Sequence, residues 1–392
     1  MLEYDVVRTT GTGADIQAQL TLAKAAGGGR VVVPGGTWLL NTPLKISSYT
    51  WLICAPTTII NRNAAIDNLI RNDSGGTVGG YRANTTIRIT GGIWQGNKAA
   101  WPTPATLIAF GHSTNILIEY ADVSGTPGGW HGIEINSTSH ATVSRCVLHD
   151  DPAGHEMLQI DMPTSTSSFP YFGPFDNTPC DDVTVEQCTF RDGRQGVGSH
   201  LSRAGVWHTN ISILNNTFLN LTNDAIACQD YRDVLVQGNH FTNVHVGVHA
   251  FSAVNQVCDN FRVVANMFSA MTSRATTFNG GSTTERNIRQ VSFVGNVVDG
   301  SASYGLTADY AKGVTYADNI VRNCGGFGIW IWKQVEVSLT GNRLIDNNTI
   351  GSATSGDLGV GGNAQATVGE TSDVTVTGNT MGDVYVLSLI HI

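Results

Sequence analysis

Charge is scarce in this sequence of 392 residues: 14% is Asp, Glu, Lys or Arg, against about 25% in an average globular domain. That is too little for a charged helical array, and a 41% hydrophobic content is too high for a disordered chain. Positive charge is especially short, with 22 Lys and Arg against 31 Asp and Glu and a net charge of −9, so a nucleic-acid partner is not expected. Long apolar runs are missing as well. None reaches the roughly 18 to 20 residues of a membrane span, and no membrane association is expected. The start, Met1-Leu2-Glu3-Tyr4-Asp5, lacks a basic segment followed by an apolar one, so no export signal is read there. Seven cysteines (Cys54, Cys146, Cys180, Cys188, Cys228, Cys258, Cys324) occur without any CxxC or Cys/His metal spacing. They read as small buried hydrophobes and leave the compartment undecided.

What is abundant is glycine, 45 residues, together with a repeat. Between Ile87 and Met381 an apolar residue is followed by another two later, Asn or Cys five later and a bulky apolar residue seven later. Val183/Val185/Cys188/Phe190, Ile211/Ile213/Asn216/Phe218 and Val234/Val236/Asn239/Phe241 are its cleanest forms. Successive first positions from Ile211 are spaced by 23, 27, 30, 23 and 23 residues. Two-residue alternation predicts strands, and the Asn is expected at a sharp corner, in the left-handed conformation or stacked on the next Asn. Leucine-rich repeats would need a Leu consensus that is absent, and propeller blades about 40 residues and a hairpin. The pattern predicts an all-β fold, a right-handed single-stranded parallel β-helix with coils about 4.8 Å apart.

Two longer gaps interrupt the rhythm, 42 residues from Ala141 to Val183 and 37 from Val337 to Val374. Extra residues in a solenoid leave as loops, commonly on the binding face. An insertion is therefore expected at 149–180, rich in acids, histidine and aromatics, and a Gly/Ser/Ala-rich flexible lip at 351–369. Residues 1–80 read as an N-terminal cap and first coils, and 81–392 as the β-helix of one continuous domain. Within the cap, Ile16–Ala26 is a helix candidate, and Arg30 to Leu40 a strand, a Pro-Gly turn and a strand. A short helix, then Gly28-Gly-Arg-Val-Val-Val-Pro34-Gly-Gly-Thr-Trp38, then an apolar strand ending near Thr57-Thr-Ile-Ile60, resembles the entry cap of the pectate-lyase-like superfamily of β-helix proteins. That resemblance implies carbohydrate chemistry without fixing the reaction.

A second strand type precedes each Asn-bearing one. If Ile133, Leu158, Val197, Ile226, Val246, Leu306 and Ile329 stack inward, alternation sets two outward rows. The first is Glu134, Gln159, Gly198, Ala227, Gly247, Thr307 and Trp330. The second is Asn136, Asp161, His200, Gln229, His249, Asp309 and Trp332. So many acids, amides and imidazoles on one face predict a ligand trough lined by small residues. Glycoside hydrolysis needs one carboxyl to protonate the leaving oxygen and a second to activate water or attack the sugar. Glu134, Glu156 and Asp161 are the candidates, and one coil plus two residues puts Glu134 roughly 8 Å from Asp161, in the inverting range.

Gln159, Gln229, His249, Asp230, Asp309 and Arg194 are expected to bind substrate. Trp330 and Trp332 are expected as stacking platforms, with Trp130, Tyr171 and Phe172 able to stack on pyranose faces. Asn223-Asp-Ala-Ile-Ala-Cys-Gln-Asp230 resembles the Asp-Asp-Cys-x-Ala strand of polygalacturonases, which would make Asp224 catalytic. The order relative to Gly196-Val-Gly-Ser-His200 is reversed from theirs and no Arg-x-Lys follows. His155-Glu-Met-Leu-Gln-Ile-Asp161, Phe172-Gly-Pro-Phe-Asp176 and Gly196-Val-Gly-Ser-His200 are similar to a signature of uncharacterised bacterial surface β-helix proteins. That similarity adds Asp176 and His200 to the catalytic candidates.

The function expected is an endo-acting glycoside hydrolase on a polysaccharide, extracellular or on a cell surface or phage particle. A polysaccharide lyase and a non-catalytic glycan-binding tail or surface protein are the alternatives. No cofactor or metal is assigned; Ca²⁺ on Asp150-Asp151 or Asp181-Asp182, which otherwise read as turn caps, is the exception left open. Asp383–Ile392 ends as an apolar strand without a polar cap, so truncation or oligomerisation through that edge is expected.

Overall fold

A computed structural model describes residues 1–74, 76–280, 286–352, 355–361 and 371–386. Their contacts group into two compact units, Met1–Leu201 and Ser202–Ile392.

In the first unit the alternating segments stack as parallel strands. Gly29–Val33, Thr50–Cys54, Asn84–Thr90, Ser113–Glu119, Ser139–Ser144 and Asp181–Glu186 pair one after the other. Parallel pairing needs a crossover between partners, and here each crossover is the remainder of a coil. Register follows the repeat, with Ile87 opposite Ile116, Ile116 opposite Ala141, and Ala141 opposite Val183, all buried.

The helix spans Gly13–Ala25, three residues earlier than expected at its start, because Asp15 anchors the entry. Its Oδ2 accepts the N–H groups of Thr9, Thr10 and Gly11 at 3.1, 2.8 and 2.9 Å, a favourable place for a carboxylate at a helix start. Ile16, Leu20 and Ala23 form the buried stripe, packed on the first strands.

The second unit continues the same logic. Ile211, Val234, Phe261, Val291, Val314, Val337 and Val374 occupy one register column. Phe218, Phe241 and Phe268 stack beneath one another with ring centroids 4.9 and 4.6 Å apart. Asn216, Asn239, Asn266, Asn296, Asn319 and Asn342 form a buried ladder, in which the side-chain oxygen of each from Asn239 onward accepts the main-chain N–H of the Asn one coil before. The left-handed position is not the ladder Asn itself but the residue before it: Asn215, Gly238, Ala265, Gly295, Asp318 and Gly341 have φ between 52° and 67°. That turn aims the Asn side chain inward, where it can stack.

The first insertion is shorter than expected. The strand Val147–Asp161 carries residues 149–161, with a shift of register between Asp151 and Glu156, and the loop leaving the coil is 162–180. Of the second, Leu358–Gly361 is a strand paired with Ile329–Trp332. Residues 353–354 and 362–369 of that lip, residue 370 after it, and 387–392 of the apolar end lie outside the described residues.

Candidate functional site

Three neighbouring strands of the first unit build the site: Ile133–Asn136, Val147–Asp161 and Thr189–Gly198. Ile133, Leu158 and Val197 are stacked and buried, as the alternation requires. Glu134 then stands beside Gln159, Gln159 beside Gly198, and Asn136 beside Asp161.

This face was expected to be an open trough, and the structure corrects that. Glu134, Gln159, Asp161 and Glu156 are between 0% and 2% exposed, because loop 162–180 folds back over them. Phe169, Tyr171 and Phe172 cluster with Ala109, and Trp130 and Phe175 pack on the cluster. A Cβ at Gly111 would meet the Phe172 ring at 2.5 Å, so the ring closes on bare backbone. Tyr171 and Phe172, expected to stack on sugars, instead anchor the loop. What remains is a cavity of about 140 Å³ whose walls include Trp130, His131, Glu134, His155, Gln159 and His200.

Charge in the cavity is set by burial and by neighbours. Burial raises the Glu134 carboxyl to about 7, although Thr106 and Asn136 favour its ionised form; the Asn136 amide donates to Oε1. Glu156 behaves oppositely. Burial resists its ionisation, but the His200 hydrogen bond at 3.1 Å and the nearby His131 ring outweigh this and hold the carboxyl at about 2. The same carboxylate lifts His200 to about 9 against the burial of the ring. His131 donates Nδ1–H to the Glu156 main-chain oxygen at 2.8 Å, and burial lowers it to about 4, so at neutral pH it is uncharged. His155, at the rim, is lowered by burial too. The three imidazoles surround Glu156 with centroids 5.3 to 6.1 Å apart.

Burial pushes Asp161 up to about 7. Its oxygens nonetheless accept Gln159 Nε2 at 2.9 Å and the main-chain N–H groups of Met162, His200 and Leu201 at 2.9, 3.3 and 3.2 Å. Saturated in this way and away from the cavity wall, Asp161 ties the strand to the segment that carries His200. Asp176 is not brought to the cavity. Its oxygens accept the N–H groups of Gly80 and Thr178, which closes the loop. Arg194 contacts the Gly154 carbonyl and His155 Nδ1, each at 3.4 Å.

The remaining candidates lie in the second unit. Asp224 bonds His249 Nδ1 at 2.9 Å. The expected register is corrected by two residues there: His249 stands beside Ala227 and Gln229 beside Phe251, since a shift of register between Leu221 and Asp224 takes up the difference. Asp230 is buried and accepts the Ser202 hydroxyl, which also receives Gln229 Nε2 at 2.5 Å. Asp309 is raised to about 6 by burial. Trp330 is 9% exposed, its ring stacked on Phe327, Tyr304 and Trp332 at 4.8, 5.9 and 5.3 Å, so it is packed inside an aromatic stack; Trp332 is half-buried.

Sequence reading missed His131 and His155 as site residues. His131 precedes its strand and His155 sits where the register shifts, so neither falls on an alternating row. The signal present was only that His155 adjoins Glu156, and that His131 follows Trp130 two residues before an inward Ile133.

Comparison with known proteins agrees with this architecture. A family model described as "Right handed beta helix region" matches residues 177–306. The plasmin and fibronectin-binding protein A of Streptococcus pneumoniae is 24% identical over 254 residues, which is 56% of this chain and 35% of that protein. The chain thus matches only about a third of that relative's length. The solved structure of PfbA, a surface adhesin of S. pneumoniae, superposes with a TM-score of 0.71 at 18% identity, covering 93% of each chain. A family 28 exopolygalacturonase of Yersinia enterocolitica superposes with a TM-score of 0.64 at 13% identity, covering 98% of this chain and 78% of that one. The repeat, the stacked parallel strands and these likenesses together make the chain a right-handed parallel β-helix protein, a fold shared by glycan-degrading enzymes and by an adhesin.

Proposed function

We propose that the protein is a surface or extracellular glycoside hydrolase acting on a polysaccharide, with Glu134 as the proton donor. The observation that carries this reading is a carboxyl raised to about 7 on the wall of a small polar cavity, facing imidazoles of differing charge. Titratable groups driven apart by their surroundings in a concave site are what acid–base catalysis requires.

In the reaction, the Glu134 carboxyl gives its proton to the departing glycosidic oxygen as the bond to the anomeric carbon breaks. The neutral His155 imidazole takes a proton from water as the water oxygen bonds to that carbon. His200, charged against Glu156, donates a hydrogen bond to a sugar oxygen, and Trp130 offers its ring to the pyranose face. A cavity of about 140 Å³ holds little more than one sugar ring, which favours action at a chain end over the endo action expected from an open trough.

The second reading is a glycan-binding adhesin, favoured by the superposition on PfbA over 93% of each chain. A reducing-end screen on a polysaccharide panel with wild type and Glu134→Gln tests both. New reducing ends that vanish in the variant support the hydrolase. Products absorbing as unsaturated uronates assign a lyase, and glycan retention without cleavage assigns the adhesin.

A further inference from the structure

We infer that His131, Glu156 and His200 form a binding site for one first-row divalent cation of the Zn²⁺ class. One ligand atom from each of these residues lies within 4.8 Å of the other two. His200 Nδ1 is 3.1 Å and His131 Nδ1 3.7 Å from the same oxygen, Glu156 Oε2. With Nδ1–H of His131 committed to the Glu156 main-chain oxygen, Nε2 is the nitrogen that ring offers, and tetrahedral zinc, whose ligands lie about 3.3 Å apart, requires the His200 ring and the Glu156 carboxylate to move toward it.

Supports around the three residues suit such a site. Ligand geometry is held when neighbouring main-chain groups fix the side chains, and His131 is already fixed by its bond to the Glu156 main-chain oxygen. The set is also incomplete on the side where a fourth ligand would enter. Gln159 lines the same cavity at 1% exposure, and its Oε1 is buried without a hydrogen-bond partner while Nε2 is committed to Asp161. Buried amide oxygens rarely go unpaired, and a cation or its bound water would satisfy this one. Three protein ligands beside an open cavity is the arrangement of catalytic rather than structural zinc. Two imidazoles and one carboxylate select this class over Ca²⁺ or Mg²⁺, which take all-oxygen shells.

The inference concerns binding alone, and a bound cation excludes the charged His200 of the proposed cleavage, because a ligating imidazole must be neutral. Chelator-treated protein is titrated with Zn²⁺ by calorimetry, and metal content is measured after dialysis. The expected result is one Zn²⁺ per chain, weakened at least tenfold in His131→Ala and in His200→Ala and unchanged in Asp182→Asn. Ca²⁺ should leave no heat above dilution. Because either histidine variant can lose its fold, Co²⁺ is added to the wild type in parallel, where intense visible bands of a four-coordinate site are expected. Zn²⁺ that fails to stay bound, or that binds folded His131→Ala and His200→Ala as tightly as wild type, overturns the inference, as does Co²⁺ showing only the weak bands of the aqueous ion.

Discussion

Asn266 offers a direct test of what holds the coils in register. Its Oδ1 accepts both the main-chain N–H and the side-chain Nδ2 of Asn239, at 2.9 and 3.0 Å, and its own Nδ2 donates to the Val236 carbonyl at 2.9 Å. Asn266→Ala removes these bonds and the one from Nδ2 to Asn296 Oδ1 at 3.1 Å, four in all, inside a region where Asn239 is 0% and Asn266 2% exposed. Asn239 Nδ2 keeps the Ile213 and Gln237 carbonyls as acceptors, so it is not orphaned. The Asn239 main-chain N–H loses its acceptor, at about 1 to 3 kcal/mol for a buried donor, and each lost bond to a group with other partners adds about 0.5 to 1.5 kcal/mol. The expected loss is about 3 kcal/mol. Native-state hydrogen exchange reads it locally: the Asn239 amide should exchange about a hundredfold faster in the variant, at about 1.4 kcal/mol per tenfold. Asn266→Asp retains the acceptor, and should slow that exchange again under acid conditions that keep the new carboxyl neutral. If the Asn239 amide in Asn266→Ala exchanges within a factor of three of wild type, the ladder does not stabilise the stack and the corner argument fails.

Glu134→Gln should lower turnover by about 10² to 10⁴, the usual contribution of a general acid, and wild-type activity should fall as pH rises through about 7. Its raised carboxyl also makes wild type lose stability as pH climbs from about 4.5 to about 7, whereas the Gln variant, with nothing to ionise, should lack that slope in urea melts. The Glu156–His200 pair gives two limbs of opposite sign in chelator-treated protein. Glu156, held at about 2, contributes stability above its ordinary 4.5 that is lost as pH falls through 2; His200, raised to about 9, contributes below its ordinary 6.5 and loses this as pH rises through 9. Glu156→Gln should flatten both limbs, and unchanged limbs would contradict the pairing. Phe172→Ala should cost about 3 to 5 kcal/mol of local packing and expose loop 162–180 to limited proteolysis while the coils stay intact.

How much was legible depended on whether a feature repeats. The apolar columns could be aligned from sequence because a stacked coil returns each position to the same place, so Ile87, Ile116, Ala141 and Val183 really are neighbours. The row carrying Glu134 and Gln159 came out for the same reason. Departures from the period were hidden: the two-residue offset that puts His249 beside Ala227, and the run of strand through 149–156, where the insertion was expected to begin.

By itself the sequence determined the fold, since alternation and coil spacing specify a parallel solenoid whatever fills its loops. It also determined which acids could share a face. Only the tertiary structure decided what that face is. Loop 162–180, which has no periodicity to read, lays its aromatics on Ala109 and turns an expected trough into a small cavity. The resulting burial, a property of the packed chain and of no single residue, makes Glu134 a near-neutral acid, and the contact between His200 and Glu156 makes that pair a fixed charge.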